Sequence, residues 1–457
     1  MLARQISLSA KIVTFCLLAS AWVATARGQF GFGFGPVGVV GGVSVDADGM
    51  VRDLSAQDRT EILERLRASV QSPQGPLAQR ATLRMVSLSK LQAAVAESIR
   101  DQRPLPEEML YLAGLQRIEY VFAYPETGDI VLAGPAEPWV VRGDASVVGK
   151  ISGRPVLRLE DLLVALRTSE LTQQEVISVS IDPTPEGELR LQQLLQRIGS
   201  GNGFNPEIAE PAMKEAFGAQ VVTLNAVPKN SRMAQVLVAA DYEMKRIAMH
   251  LEPSPIKSLP SYMEMIRDTG APQGVQPRWW MACDYDALLH SEDRMAWKIT
   301  GTGVKAMTED QHIAANGSRV GIGKANKQAQ RWADLFTEKY EKLCGTHPAF
   351  GDLRNVMDLN VVAAIIRAHG LQDLAGCDLS LFWGADSSQL ATPEWNVPQS
   401  LQPQCSFVRG RSGWSISASG GIEINPWKIV AQAAQVEPAL AEVRSNGNKS
   451  ANHWWWE

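Results

Sequence analysis

Asp284, Asp286, Glu292 and Asp293 follow closely on Trp279 and Trp280. Two carboxyl groups about 5–10 Å apart beside an aromatic face are what glycoside hydrolysis requires, one as acid and one as base or nucleophile. A hydrolase of glycan or peptide built on these acids is one reading. The same residues also have plain structural uses: Asp286 can cap a short helix, and Glu292-Asp293 can form a solvated turn. The tryptophans support a reading without chemistry, in which Trp279, Trp280 and Trp297 supply a binding surface. They can equally be core residues.

No other constellation is complete. Residues 143–150 approximate a phosphate loop, but five residues separate Gly143 from Gly149. Ile151 also stands where the hydroxyl that holds Mg²⁺ belongs. The histidines, His250, His290, His312, His347, His369 and His453, include no H-E-x-x-H and no pair at metal-ligand spacing. No metal and no cofactor are therefore expected. There is no Gly-x-Ser-x-Gly elbow for a serine nucleophile. Cys283 with His290 or His312 would make a Cys/His hydrolase in outline, a pairing that any chain of this size offers. A net charge of −5 without concentrated Lys or Arg argues against nucleic acid.

Periodicity shows the elements that would carry these residues. Met233, Val236, Leu237, Ala240, Met244 and Ile247 recur at steps of three and four, one apolar face of a helix. Ser231 can cap it, and Pro253 and Pro255 forbid its continuation. Residues 279–281 and 295–307 read as strands. The second alternates through Gly301-Thr302-Gly303, which suggests a bulge or a close backbone approach. A further strand is expected near 247–251. Upstream, residues 118–124 and 130–133 flank a turn as a hairpin. Short helices precede it, and two more follow near Leu159 and Pro185. Downstream, helices are expected over 325–344 and 350–368.

Residues 1–26 read as a signal peptide: Arg4 and Lys11, an apolar run from Ile12 to Val23, and the small residues Ala24-Thr25-Ala26. After it come a Gly/Phe-rich leader and hairpin (27–52), an N-terminal α+β domain (53–197) and a glycine-rich linker (198–211). A second α+β domain (212–383) and an irregular Trp-containing tail (384–457) complete the chain. The expected fold class is α+β: two mixed domains with mainly antiparallel sheets, a short helical N-terminal segment and a poorly ordered C-terminal tail. No segment after cleavage is long and apolar enough to span a bilayer. In an exported chain Cys283, Cys344, Cys377 and Cys405 are disulfide candidates with every pairing open, against the alternative of free buried thiols.

Several long strings resemble an uncharacterised family of exported planctomycete proteins, a domain of unknown function. They include IVLAGPAEPW, SIDPTPEGELRLQ, AADYEMKRIAMHLEPSPIKSLPSYM, GTGVKAMTED and FGDLRNVMDLNVVAAII. The resemblance covers roughly residues 40–370. It implies export and brings no catalytic residues with it. The expectation is an exported, non-catalytic protein that binds a partner or associates with the cell envelope. An envelope protein or a glycan would be the partner.

Overall fold

The computed structural model describes Val40 and residues 43–45, 50–53, 56–198, 205–267, 269–270, 275–384, 389–406, 408–410, 413–415, 420–447 and 453–457. The expected signal peptide, most of the Gly/Phe leader and the turn at 46–49 lie outside them.

The strand Gln276–Asp284 buries Pro277, Trp279 and Met281, while Arg278, Trp280 and Ala282 between them are half-buried. That alternation follows from the pleat, which sends neighbouring side chains to opposite faces. The strand lies in a nine-stranded mixed sheet. Its order is Val43–Val45, Met50–Asp53, Ser400–Leu401, Gln220–Asn225, Ile177–Asp182, Gly420–Ile424, Gln276–Asp284, Gly303–Ile313, Arg319–Gly321. A seven-stranded sheet runs Gln435–Val436, Leu289–His290, Ala296–Lys298, Tyr120–Tyr124, Asp129–Ala136, Ala81–Ser87, Trp455–Trp456. Most neighbours are antiparallel, but Gly420–Ile424 lies parallel to Gln276–Asp284. The α+β class holds.

Helices cover the inner face of the larger sheet. Arg232–Ala248 starts where Ser231 accepts a hydrogen bond from the Ala234 N–H, and it packs on Ile177–Asp182. Lys327–Thr346 lies along Gly303–Ile313. Pro348–Ala368 is central: it is buried from Pro348 through Ile366 and touches Leu159–Thr168, Arg232–Ala248, Lys327–Thr346 and Pro426–Val430. A helix buried on every side cannot be amphipathic. Its polar residues are met inside the protein, with Arg232 bridging Asp161 and Asp352, and Tyr285 donating to Asp358 at 2.7 Å.

Several expectations change. Residues 247–251 are not a strand. The helix runs through Ala248, and the Met249 and His250 N–H groups still find the carbonyls of Lys245 and Ile247. Residues 295–307 are not one strand either. Ala296–Lys298 belongs to the smaller sheet and Gly303–Ile313 to the larger. The chain crosses between them at Gly301 and Gly303, whose φ values of 110° and 88° favour glycine. A Cβ on Gly301 would also sit 2.7 Å from the Asp284 carbonyl oxygen.

Within the expected linker, residues 199–204 lie outside the described residues, and Pro206–Phe217 is a helix capped by Asn205. Strands on either side of 198–211 pair directly: Ile177–Asp182 with Gln220–Asn225, and Tyr120–Tyr124 with Ala296–Lys298. Described parts of 384–457 also enter both sheets, with Gly420–Ile424 well inside the larger one and Trp455–Trp456 pairing with Ala81–Ser87.

Candidate binding surface

Register sets the outer face of the nine-stranded sheet. Thr223, Ser180, Gly421, Trp280 and Met307 stand opposite one another across five strands. Asn225, Ser178, Glu423, Ala282 and Lys305 form the next row. At about 4.8 Å per strand each row is roughly 19 Å long. Thr223, Asn225, Met307 and Glu423 are exposed, and Ser178, Ser180, Trp280 and Lys305 are half-buried.

Trp280 is the largest apolar group there. Its ring has the Arg278 guanidinium 5.4 Å from its centroid, and Arg278 in turn faces Glu309 at 3.6 Å. On one side Met307 is 36% exposed. On the other, Gly421 leaves the floor flat, since a Cβ there would come 2.9 Å from the Val179 carbonyl oxygen. Lys305 and Asp284 approach to 3.6 Å at the end of the strand. The result is an aromatic ring in a field of hydroxyls, amides and paired charges.

The other expected binding tryptophans are core. Trp279 is 1% exposed, with Tyr262 at 4.8 Å and Trp332 at 5.2 Å, both edge-on. Trp297 is also 1% exposed; it stacks on His369, and its Nε1–H donates to the Arg294 carbonyl at 2.9 Å.

Of the four acids, Asp284 belongs to the larger sheet, Asp286 to the connection after it, and Glu292 and Asp293 to a turn of the smaller sheet. Asp284 ends its strand and accepts from the Thr302 hydroxyl at 3.0 Å. Asp286 is exposed in the connection that follows, where its N–H donates to the Thr300 carbonyl. Glu292 and Asp293 occupy the turn between Leu289–His290 and Ala296–Lys298. Asp293 accepts from Ser291 and from the Met295 N–H, which hold its carboxyl below the usual range against a burial effect that raises it. The plain turn reading of Glu292-Asp293 describes what is seen, while Asp286 caps no helix.

The four cysteines are free, and no disulfide joins them. Cys283 is on the strand Gln276–Asp284, Cys344 Sγ is 3.9 Å from the Phe350 carbonyl oxygen, and Cys405 belongs to a small cluster with Met213 and Phe217. Burial pushes the thiols up, Cys283 and Cys377 to about 12 and Cys344 and Cys405 to about 11. Such thiols are poor nucleophiles. Cys283 pairs with Val304, so His312, eight residues further along the same strand, is roughly 26 Å away. His290 is turned toward Trp297, with ring centroids 5.0 Å apart. Neither completes a Cys/His pair.

Arg278 was visible to sequence reasoning by alternation from Trp280. Met307, Gly421 and the hydroxyl row were not, because they depend on which strands pair.

Residues 179–262 match the model of a family described as a protein of unknown function (DUF1598), so a domain of that family is present there. The matched stretch runs from Val179 in the sheet, through the helix Arg232–Ala248, to Tyr262 beside Trp279. Neither a curated protein nor a solved structure matches the chain.

Proposed function

We propose that the chain is an exported binding protein that takes a cell-envelope glycan on its Trp280 face and performs no chemistry on it. The half-buried Trp280 ring on a flat, hydroxyl-lined sheet face carries this reading. The C–H face of a sugar is weakly positive and apolar, and it complements the negative face of an indole. Ser178, Ser180, Thr223 and Asn225 offer donors and acceptors for sugar hydroxyls. The engagement of Asp284 by Thr302 and Lys305, and of Asp293 within a turn of the other sheet, supports binding over hydrolysis. Export rests on the residues 1–26 and on the wider resemblance to exported planctomycete proteins. Among the described residues, no helix is long and apolar enough to cross a membrane.

The test is glycan-array and polysaccharide pull-down binding by the exported chain and its Trp280→Ala variant. Retained polysaccharide, lost in Trp280→Ala at unchanged melting temperature, supports the reading. Equal retention by both proteins, or release of new reducing ends, sinks it. N-terminal sequencing of the exported chain tests cleavage after Ala26.

A further inference from the structure

The end of the helix Arg232–Ala248 and the junction between Lys327–Thr346 and Pro348–Ala368 meet at three side chains: Glu243, Glu252 and His347. Each offers one ligand atom, and these atoms all lie within 4.8 Å of one another. His347 Nε2 is 3.6 Å from Glu243 Oε2, too long for a hydrogen bond. Glu243 is 6% exposed in its side chain, and its Oε2 is buried with no hydrogen-bond partner. His347 Nδ1 is likewise buried and without a hydrogen-bond partner. A buried carboxylate oxygen with no hydrogen bond, met only at 3.6 Å by His347 Nε2 and at 4.0 Å by Arg246 Nε, is under-satisfied, and a closer cation would stabilise it.

Among the described residues, Arg246 also places its guanidinium beside these acids, nearer to Glu252 than to Glu243. Its Nε is 3.1 Å from Glu252 Oε2 but 4.0 Å from Glu243 Oε2, and its guanidinium lies over the Tyr242 ring. Burial raises the Glu243 carboxyl, with His347 opposing that rise.

We propose that Glu243, Glu252 and His347 bind one zinc-class divalent transition-metal ion. An imidazole nitrogen with two carboxylates suits such an ion and not Mg²⁺ or Ca²⁺, which take oxygen ligands. Ligand bonds of about 2.0–2.2 Å put tetrahedral ligand atoms roughly 3.3–3.6 Å apart, so side-chain rotation closes the set. Three protein ligands leave one position for water. Glu252, 36% exposed in its side chain, forms the solvent side and the route of entry. Sequence spacing did not reveal the site because His347 is far along the chain from both acids.

The experiment is calorimetric titration of Zn²⁺ into the chelator-treated chain, carrying no histidine tag, with Co²⁺ absorption as a second readout. One ion per chain is expected, with visible Co²⁺ bands that Zn²⁺ abolishes. His347→Gln and Glu243→Gln should each weaken binding about tenfold or more, while Arg246→Gln, which removes a competing cation, should tighten it. Glu252→Gln, at the solvent edge, gives the same loss if the buried variants fail to fold. Absence of saturable binding by the folded parent overturns the proposal. So does unchanged affinity in Glu252→Gln and His347→Gln, which would assign the ion to other ligands.

Discussion

The indole of Trp297 and the imidazole of His369 lie stacked, ring centroids 3.8 Å apart and planes at 14°. Burial, with the charges of Arg294 and His290 adding to it, lowers the His369 pKa to about 4. The folded state therefore holds the neutral ring, while the unfolded chain takes up a proton near pH 6.5. Its stabilising contribution is complete above that pH and is lost as pH falls from about 6.5 toward 4. His369→Phe should keep the stack and remove this acid-side loss. Denaturant melts at several pH values, beside an NMR titration of His369, measure both effects.

Trp279 and Trp280 should separate cleanly on mutation. Trp279→Ala empties a site between Tyr262 and Trp332 and should cost about 3–5 kcal/mol. Trp280→Ala removes a half-buried ring from an open face and should cost about 1 kcal/mol or less. Thermal or urea melts decide it; equal large losses would mean that the outer face is covered.

Arg232 lies between Asp161 and Asp352 with all three side chains buried. Arg232→Met leaves two carboxylates buried without their counter-ion and should destabilise by about 3–5 kcal/mol. Adding Asp161→Asn and Asp352→Asn should recover most of that loss. Failure of the triple variant to recover would assign the cost to packing.

Glu160, buried next to Asp161, has its pKa raised to about 7, chiefly by burial and then by the Asp161 charge. The unfolded carboxyl ionises near 4.5, so folding is penalised progressively as pH rises from about 4.5 to 7. Glu160→Gln should lift that penalty, keeping an acceptor for the Trp395 N–H that now donates at 2.8 Å. The variant should gain stability relative to the parent above pH 7 and not at pH 4.

The strand Trp455–Trp456 covers the edge of Ala81–Ser87, and Glu457 pairs with the fully buried Arg84 side chain. Deleting residues 453–457 exposes that edge and takes the carboxylate from a buried guanidinium, leaving it the carbonyls of Ala113, Gln79 and Pro76. A lower melting temperature and concentration-dependent association in gel filtration are expected. Arg84→Met should restore part of the stability without abolishing the association.

Local chemistry was legible in the sequence. Ser231 capping its helix, the hairpin Tyr120–Tyr124 with Asp129–Ala136, and the opposite faces of Trp279 and Trp280 follow from orphan amides and side-chain periods over a few residues. Those same rules made residues 295–307 look like one strand, because alternation does not say which sheet a segment joins. Tertiary closure decided that Gly301 and Gly303 cross between sheets and that Gly420–Ile424 inserts beside Gln276–Asp284. It also decided that Glu243 and His347 meet. Such contacts become favourable only once distant segments share a core, so their energies have no signature in the spacing of neighbouring residues.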